Sequence, residues 1–130
     1  MRKKSSGPAT HLAPRHKVWL SWNGRFLMGP NYFRFLAAVD QTGTIRGGGA
    51  AVGWSYRTCL NRVRRMEQVL GHPVLATSRG GAGGGGARLT PEARRLVRLF
   101  GQWQREVGRA VVASFARASS GAAKPPRKEE

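Results

Sequence analysis

The chain has 130 residues, which is enough for one compact domain with tails and too short for two full domains. It carries 23 Lys and Arg against 6 Asp and Glu, a formal net charge of +17. The segment 18–118 alone holds fifteen basic and four acidic side chains, so the excess is not confined to the ends. Such a balance favours a polyanionic partner, and nucleic acid before a membrane surface.

Cysteine usage and hydropathy limit the cellular compartments in which we expect the protein. The single cysteine, Cys59, excludes an intrachain disulfide framework and fits a reducing compartment. No apolar run reaches the length of a membrane span. The basic start of the chain is not followed by an apolar stretch with a cleavage site, as a secretory signal would be. We therefore expect a cytoplasmic protein.

The first thirty residues divide into an arm and a hairpin. Residues 1–16 are polar, basic and turn-rich, which predicts a disordered arm. Residues 17–28 predict a β-hairpin, in which Asn23-Gly24 joins two runs rich in aromatic and aliphatic residues. Asn-Gly is typical of tight hairpin turns because both central residues there need positive φ.

Two helices are predicted next. The first spans 30 to about 41 and has apolar residues at the i, i+3, i+4 spacing. The second is short, at 45–52, with Thr44 as its N-cap. Its three glycines, 47–49, each cost about 1 kcal/mol relative to alanine. We therefore expect this helix to be held by packing and not by its own propensity.

A longer amphipathic helix is predicted from Tyr56 to about Leu70, with Ser55 as its N-cap. The face predicted to be apolar comprises Tyr56, Cys59, Leu60, Val63, Met66 and Leu70. The opposite face carries Arg57, Thr58, Asn61, Arg62, Arg64, Arg65 and Gln68. A short helix, a glycine turn and a longer helix with arginines are the parts of a helix-turn-helix. An ordinary helix with a solvated basic face is the alternative.

A glycine-rich ribbon follows a predicted strand at 73–78. As the wing of a winged helix, this ribbon would lie along a phosphate backbone, with backbone N–H groups and two arginines making contacts. The wing residues are Arg79, Gly80, Gly81, Gly83, Gly84 and Arg88. A nucleotide-binding phosphate loop is excluded because no Gly-Lys-Ser/Thr follows the glycines. The alternative is a flexible hairpin tip without a partner.

The last helix is predicted at 91–118, with Thr90 as its N-cap, and residues 119–130 are predicted to be a disordered tail. Its apolar residues recur at alternating spacings of three and four, a 3.5-residue seam that suits a partner helix. The alternative is a helix that packs only on its own domain. We predict a homodimer through Leu96, Phe100, Trp103, Val107 and Val111.

Together these elements predict a mainly α fold with small β-hairpins. A winged helix-turn-helix domain at 17–90, which includes the N-terminal hairpin, precedes a long dimerisation helix. The third helix would enter the major groove of double-stranded DNA and the wing would contact the backbone. The predicted function is a sequence-specific, homodimeric transcription regulator. The predicted contacts of the third helix are Ser55, Tyr56, Arg57, Thr58, Asn61, Arg62 and Arg65.

Three runs of residues resemble a known family. They are Thr-Gly-Thr-Ile at 42–45, Gly-Trp-Ser-Tyr-Arg-Thr at 53–58, and the glycine run with Ala-Arg-Leu-Thr at 80–90. They are similar to the N-terminal DNA-binding domain of the molybdate-responsive ModE regulators, which is itself a relative of LysR-type winged helices. The resemblance covers about residues 30–118, and the glycine wing followed by Leu-Thr is its most specific part.

The resemblance carries its own expectations. It implies that residues 55–58 begin the recognition helix, that 80–86 form the wing and that 91–118 form the dimer helix. Full-length members of the family continue into molybdate-binding domains, and this chain ends without one. No direct molybdate binding is therefore expected. The tryptophan-rich hairpin at 18–28 has no clear match.

Two other classes of function stay open: an architectural DNA-binding protein without sequence preference, and an adaptor for an acidic protein. Thr58 and Asn61 beside Arg57 favour base reading, because an adaptor has no need for such donors. Histidines and acidic residues are isolated, Cys59 lies on an apolar face, and no metal-ligand spacing exists. We predict no enzyme activity, cofactor or metal. The sequence leaves open the operator, the regulated genes, the sign of regulation, any effector and the role of the hairpin at 18–28.

Overall fold

The computed structural model describes residues 11–78 and 85–122 of the chain. It forms two compact units, one of residues 17–102 and one that joins the segment before residue 17 to the segment after residue 102. The elements in chain order are β1 Leu20–Trp22, β2 Arg25–Met28, α1 Pro30–Thr42, α2 Ile45–Val52, α3 Tyr56–Leu70, β3 Leu75–Ser78, β4 Gly86–Leu89 and α4 Pro91–Ala122. The predicted fold class, mainly α with small hairpins, is confirmed.

The first hairpin turns where the sequence predicts. Asn23 has φ 50° and Gly24 has φ 78°, so both central residues lie in the left-handed region that an Asn-Gly turn requires. β1 and β2 pair antiparallel, from Trp22 opposite Arg25 to Leu20 opposite Met28, with one irregularity between Leu20 and Ser21. The first strand begins at Leu20, three residues after the predicted start of the hairpin at residue 17.

A single apolar core holds the unit of residues 17–102 together. Every helix in this unit except α2 contributes large buried side chains to it, and so do both hairpins, through Leu27 and Met28 of the first and Leu75 and Leu89 of the second. The core residues with the least exposure are Leu27, Met28, Phe35, Leu36, Val39, Cys59, Met66, Val74, Ala93 and Phe100. Helix α2 contributes no large buried side chain and instead brings its backbone close to neighbouring elements.

The glycines of α2 are required by packing. A Cβ at Gly48 would overlap the Val39 side chain of α1 and lie 2.9 Å from the Phe35 carbonyl oxygen. A Cβ at Gly49 would lie 2.6 Å from Cys59 Sγ and 2.8 Å from the Trp54 carbonyl oxygen. Two buried glycines therefore let α2 lie directly against α1 and the start of α3. The Thr44 side chain accepts the Gly47 N–H at 2.9 Å, as the predicted cap requires.

The buried face of α3 differs from the prediction at its two ends. Cys59, Val63 and Met66 are buried as predicted. Tyr56, which was assigned to the apolar face, is instead 43% exposed. Val69 is buried although the pattern did not assign it to that face. The predicted stripe was too long at the N-terminal end, because the first turn of α3 projects beyond the core.

The second unit consists of the described residues around the C-terminal half of α4. The ring of His16 lies 3.2 Å from the position that a Cβ would take at Gly108. Pro14 and His16 line a groove together with one face of the helix, including Gly108 and Val112. Helix α4 ends at Ala122, four residues beyond the predicted boundary. Residues 11–16 belong to the predicted arm, and their chain contacts this helix.

Candidate nucleic-acid interface

The start of α3 is fixed by its own side chains. Ser55 Oγ accepts the backbone N–H of Thr58 at 3.1 Å, and the Ser55 hydroxyl donates to Thr58 Oγ1 at 3.1 Å. This is the predicted N-cap. Both residues were also predicted to contact DNA, and the structure places their hydroxyls in the cap.

The exposed face of α3 presents a groove with two arginines and an amide. Arg57, Asn61 and Arg64 line this groove, with Tyr56 and Leu60 at its edge. They follow one another at i, i+4 and i+7, so they share one face of the helix. Arg64 was not among the predicted contacts, although this spacing identifies it. The side chains offer the donors and acceptors that suit base edges and phosphates.

Two further arginines of α3 lie on its other flank, against aromatic rings. The Arg62 guanidinium carbon is 5.5 Å from the centre of the Trp54 ring, and that of Arg65 is 5.8 Å from the Phe26 ring. Phe26, Tyr32 and Trp54 themselves form an edge-to-face row, with centroids 5.3 and 5.5 Å apart. Arg62 and Arg65 are therefore held apart from the groove, in cation–π contacts.

The charge of α3 is one-sided. Its only acidic residue is Glu67, and Glu67 Oε2 accepts the Val74 backbone N–H at 2.9 Å. That carboxylate therefore joins α3 to the chain before β3. The groove of Arg57, Asn61 and Arg64 has no acidic residue in its lining. An anionic partner at this face would meet cations that no groove carboxylate neutralises.

The second hairpin is fastened to the helices at its base. β3 and β4 pair antiparallel from Leu75 opposite Leu89 to Ser78 opposite Gly86. The Ala87 N–H donates to the Gly43 carbonyl oxygen at 2.8 Å, which joins β4 to the turn between α1 and α2. Arg88 is exposed on β4. The other predicted wing residues, Arg79, Gly80, Gly81, Gly83 and Gly84, lie outside the described residues.

The residues predicted for dimerisation do not share one environment. Phe100 is fully buried, with its ring 5.3 Å from that of Phe33. Leu96 packs partly buried against the same core, and Val107 and Val111 are half-buried. Trp103 is 36% exposed. Leu99, which was not predicted, is 53% exposed one turn before Trp103.

Other chemistry finds little support in the described residues. Across 11–78 and 85–122, no three His, Cys, Asp or Glu side chains gather as a metal site would require. Cys59 is buried, and that burial raises the pKa of its thiol. No helix in the part of the chain that the structure describes is both long and apolar enough to cross a membrane.

Comparison with known proteins gives sequence relatives and structural neighbours. The chain is 38% identical over 74 residues to the molybdenum-pterin-binding protein MopB of Rhodobacter capsulatus, covering 57% of this chain and 27% of that protein. It is 34% identical over 74 residues to the molybdenum transport protein ModE of Herbaspirillum seropedicae, with 57% and 28% covered. It is 32% identical over 71 residues to the DNA-binding transcriptional dual regulator ModE of Escherichia coli K12, with 55% and 27% covered.

One of the structural neighbours supports the fold. ArgP from Mycobacterium tuberculosis matches with a TM-score of 0.51 at 20% identity, over 65% of this chain and 30% of that one. The fold of this chain is thus similar to that of ArgP, with helices and small antiparallel hairpins. No family model matches the chain. The chain spans little more than a quarter of the length of the curated relatives that it matches.

Proposed function

We propose that this chain is a DNA-binding transcription regulator that reads base sequence through the exposed face of α3. The observation that carries the proposal is the groove of Arg57, Asn61 and Arg64, on a helix whose first turn is fixed by the Ser55 cap. A rigid helix with bidentate donors on its outer face fits the major groove. The relatives named as transcriptional regulators support the same function.

The other basic groups take a different part in this proposal. Arg62 and Arg65, stacked on Trp54 and Phe26 on the other flank of α3, contact phosphates and not base edges. Arg88 extends the backbone contacts on the side of the second hairpin, which serves as the wing. The protein acts as a homodimer through α4 in the cytoplasm, with Trp103, Val107 and Val111 as the apolar contact.

The test distinguishes side chains that contact base edges and set sequence preference from side chains that contact only the DNA backbone. A preferred duplex is first selected from a random pool with the full chain, and a scrambled duplex of equal length and composition serves as its partner. Loss of a good base contact costs roughly 1–3 kcal/mol and relaxes preference at that position. We expect Arg57→Ala and Asn61→Ala to reduce the difference in affinity between the two duplexes. The matched control, Arg88→Ala, should weaken both and keep the difference.

Each outcome decides between functions. If the wild type binds both duplexes equally at every salt concentration, the protein is an architectural DNA binder. Binding of neither duplex would leave the adaptor for an acidic protein as the better reading. Full preference in both the Arg57 and Asn61 variants would show that another element reads the bases.

A further inference from the structure

A second cleft lies beside the N-terminal end of α3. It is bounded by the start of α2, the start of α3 and the ends of β3 and β4 that lie next to the second turn. Arg46 is its cation, and Thr44, Tyr56, Thr77, Ser78 and Gly86 contribute to its walls. Tyr56 was predicted to contact DNA and Gly86 to belong to the wing, whereas Arg46, Thr44, Thr77 and Ser78 were not predicted to bind DNA. The lining contains no acidic residue.

Arg46 is held in a defined position. Its guanidinium carbon lies 4.6 Å from the centre of the Tyr56 ring. Stacking on an aromatic face uses the plane of a guanidinium and leaves the N–H donors at its edge available. Since no carboxylate lines the cleft, this positive charge faces the cleft without a neutralising partner in its walls.

The ends of β3 and β4 contribute hydroxyl groups and a glycine to the cleft. Thr77 and Ser78 are exposed at the end of β3. Ser78 pairs with Gly86, and a Cβ at Gly86 would lie 3.3 Å from Ser78 Oγ, so the glycine leaves this hydroxyl uncovered. A planar cation in the same cleft as an uncovered hydroxyl donor, Ser78, suits a tetrahedral oxyanion such as a phosphodiester.

Continuity with the groove of α3 identifies the source of that oxyanion. Tyr56 lines both the cleft and the groove of Arg57, Asn61 and Arg64. A DNA duplex seated on the groove therefore carries a phosphate past the cleft. We propose that the cleft binds one backbone phosphate of the DNA, with Arg46 as the charged contact and Tyr56 as its positioning residue. This inference rests on the proposed function.

The test uses the full chain, the selected and scrambled duplexes, and a salt series. Arg46→Gln should weaken binding to both duplexes about tenfold, because one charge-assisted contact is lost. The slope of log affinity against log salt should fall by about 0.9. Arg46→Lys should restore the slope and only part of the affinity, since an ammonium does not stack as a guanidinium does. Arg98→Gln, which removes a charge from exposed α4, is the matched control and should change neither quantity appreciably.

Single methylphosphonate substitutions then locate the contact. At one phosphate, neutralisation should weaken wild-type binding and have no further effect on Arg46→Gln. Tyr56→Phe should retain the contact because it keeps the ring, whereas Tyr56→Leu should behave like a partial loss of Arg46. Circular dichroism spectra and melting temperatures confirm that each variant is folded.

Four results would overturn the inference. If the folded Arg46→Gln variant shows unchanged affinity and an unchanged salt slope while the wild type binds DNA, the phosphate contact in the cleft is refuted and the proposed function is not. A loss confined to the selected duplex would make Arg46 a base reader. Saturable inhibition by inorganic phosphate beyond chloride of equal ionic strength, abolished in Arg46→Gln, would identify a site for a free anion. A wild type that binds neither duplex would refute the proposed function and the cleft with it.

Discussion

Replacing Gly49 by alanine sets two physical effects against each other. Helix propensity alone predicts that Gly49→Ala stabilises α2 by about 1 kcal/mol. The added Cβ would lie 2.6 Å from Cys59 Sγ and 2.8 Å from the Trp54 carbonyl oxygen, distances that real Cβ atoms essentially never show. The thiol is fully buried and the carbonyl is backbone, so neither neighbour moves without shifting the start of α3.

We expect the unfavourable contacts of the added Cβ to outweigh the gain in helix propensity. Overpacking of a close-packed core costs typically 1–3 kcal/mol and occasionally more, and here two neighbours are displaced at once. We expect a net loss of about 2 kcal/mol, and for a domain of this size a fall in Tm of about 10 °C. Circular dichroism melts and urea unfolding of the full chain measure both quantities.

A control and a double variant sharpen this prediction. Gly121→Ala adds a Cβ in α4 with no atom within 4 Å, and we expect it to change stability by less than about 0.5 kcal/mol. Cys59→Ala removes the sulfur, so Gly49→Ala should cost less in that background, although the Trp54 carbonyl still opposes it. A Gly49→Ala protein that melts at or above the wild-type temperature would refute the packing argument.

Three further predictions concern other contacts. Glu67→Ala should lower the free energy of unfolding by about 1–2 kcal/mol in urea because it leaves the Val74 N–H without its acceptor, whereas Glu67→Gln should lose less. Trp103→Asp combined with Val111→Asp should halve the mass measured by light scattering at tens of micromolar; a monomeric wild type or an unchanged mass would contradict the dimer. Burial raises the pKa of the Cys59 thiol, so the folded state binds the thiol proton more tightly than the unfolded state does. The contribution of Cys59 to stability should therefore decline as pH rises above the ordinary thiol pKa of about 8.5. The Cys59→Ala variant should lack this part of the alkaline loss of stability in urea titrations, and an identical loss in the variant would contradict the prediction.

Much of the framework was predictable because its signals are local. The Asn23-Gly24 turn and the caps at Thr44, Ser55 and Thr90 depend on residues within three positions of one another. Each is present in the structure, including the Thr90 hydroxyl that accepts the Ala93 N–H at 3.2 Å. Such features need no knowledge of the rest of the fold.

The stacking of the arginines was not predictable from the helix alone. A helical projection places Arg57 and Arg64 on one face of α3 and turns Arg65 and Arg62 away from it. Which of them stack depends on the positions of Trp54 and Phe26, and these follow from how the first hairpin packs against α3. The spacing of Arg64 already separates it from Arg62 and Arg65, and only the stacking of those two required the tertiary contacts.

The assignment of α4 was limited by the same kind of ambiguity. A 3.5-residue apolar seam describes a helix that packs on a partner and equally one that packs on its own domain. The Phe100 ring lies against Phe33, so this position of the seam belongs to the core. The exposed Leu99 lies at the edge of the seam, where periodicity alone gives it no weight.

The stacked arginines have a consequence for the thermodynamics of association. Arg46, Arg62 and Arg65 each lie on an aromatic ring in the unbound chain, at 4.6, 5.5 and 5.8 Å. Immobilising a long side chain at an interface usually costs about 0.5–1.5 kcal/mol in rotamer entropy. Folding has already ordered these three, so most of that entropy loss is absent from the association step. Lysine at the same positions would preserve the net charge and its salt dependence, yet would begin each encounter from a broad ensemble of rotamers.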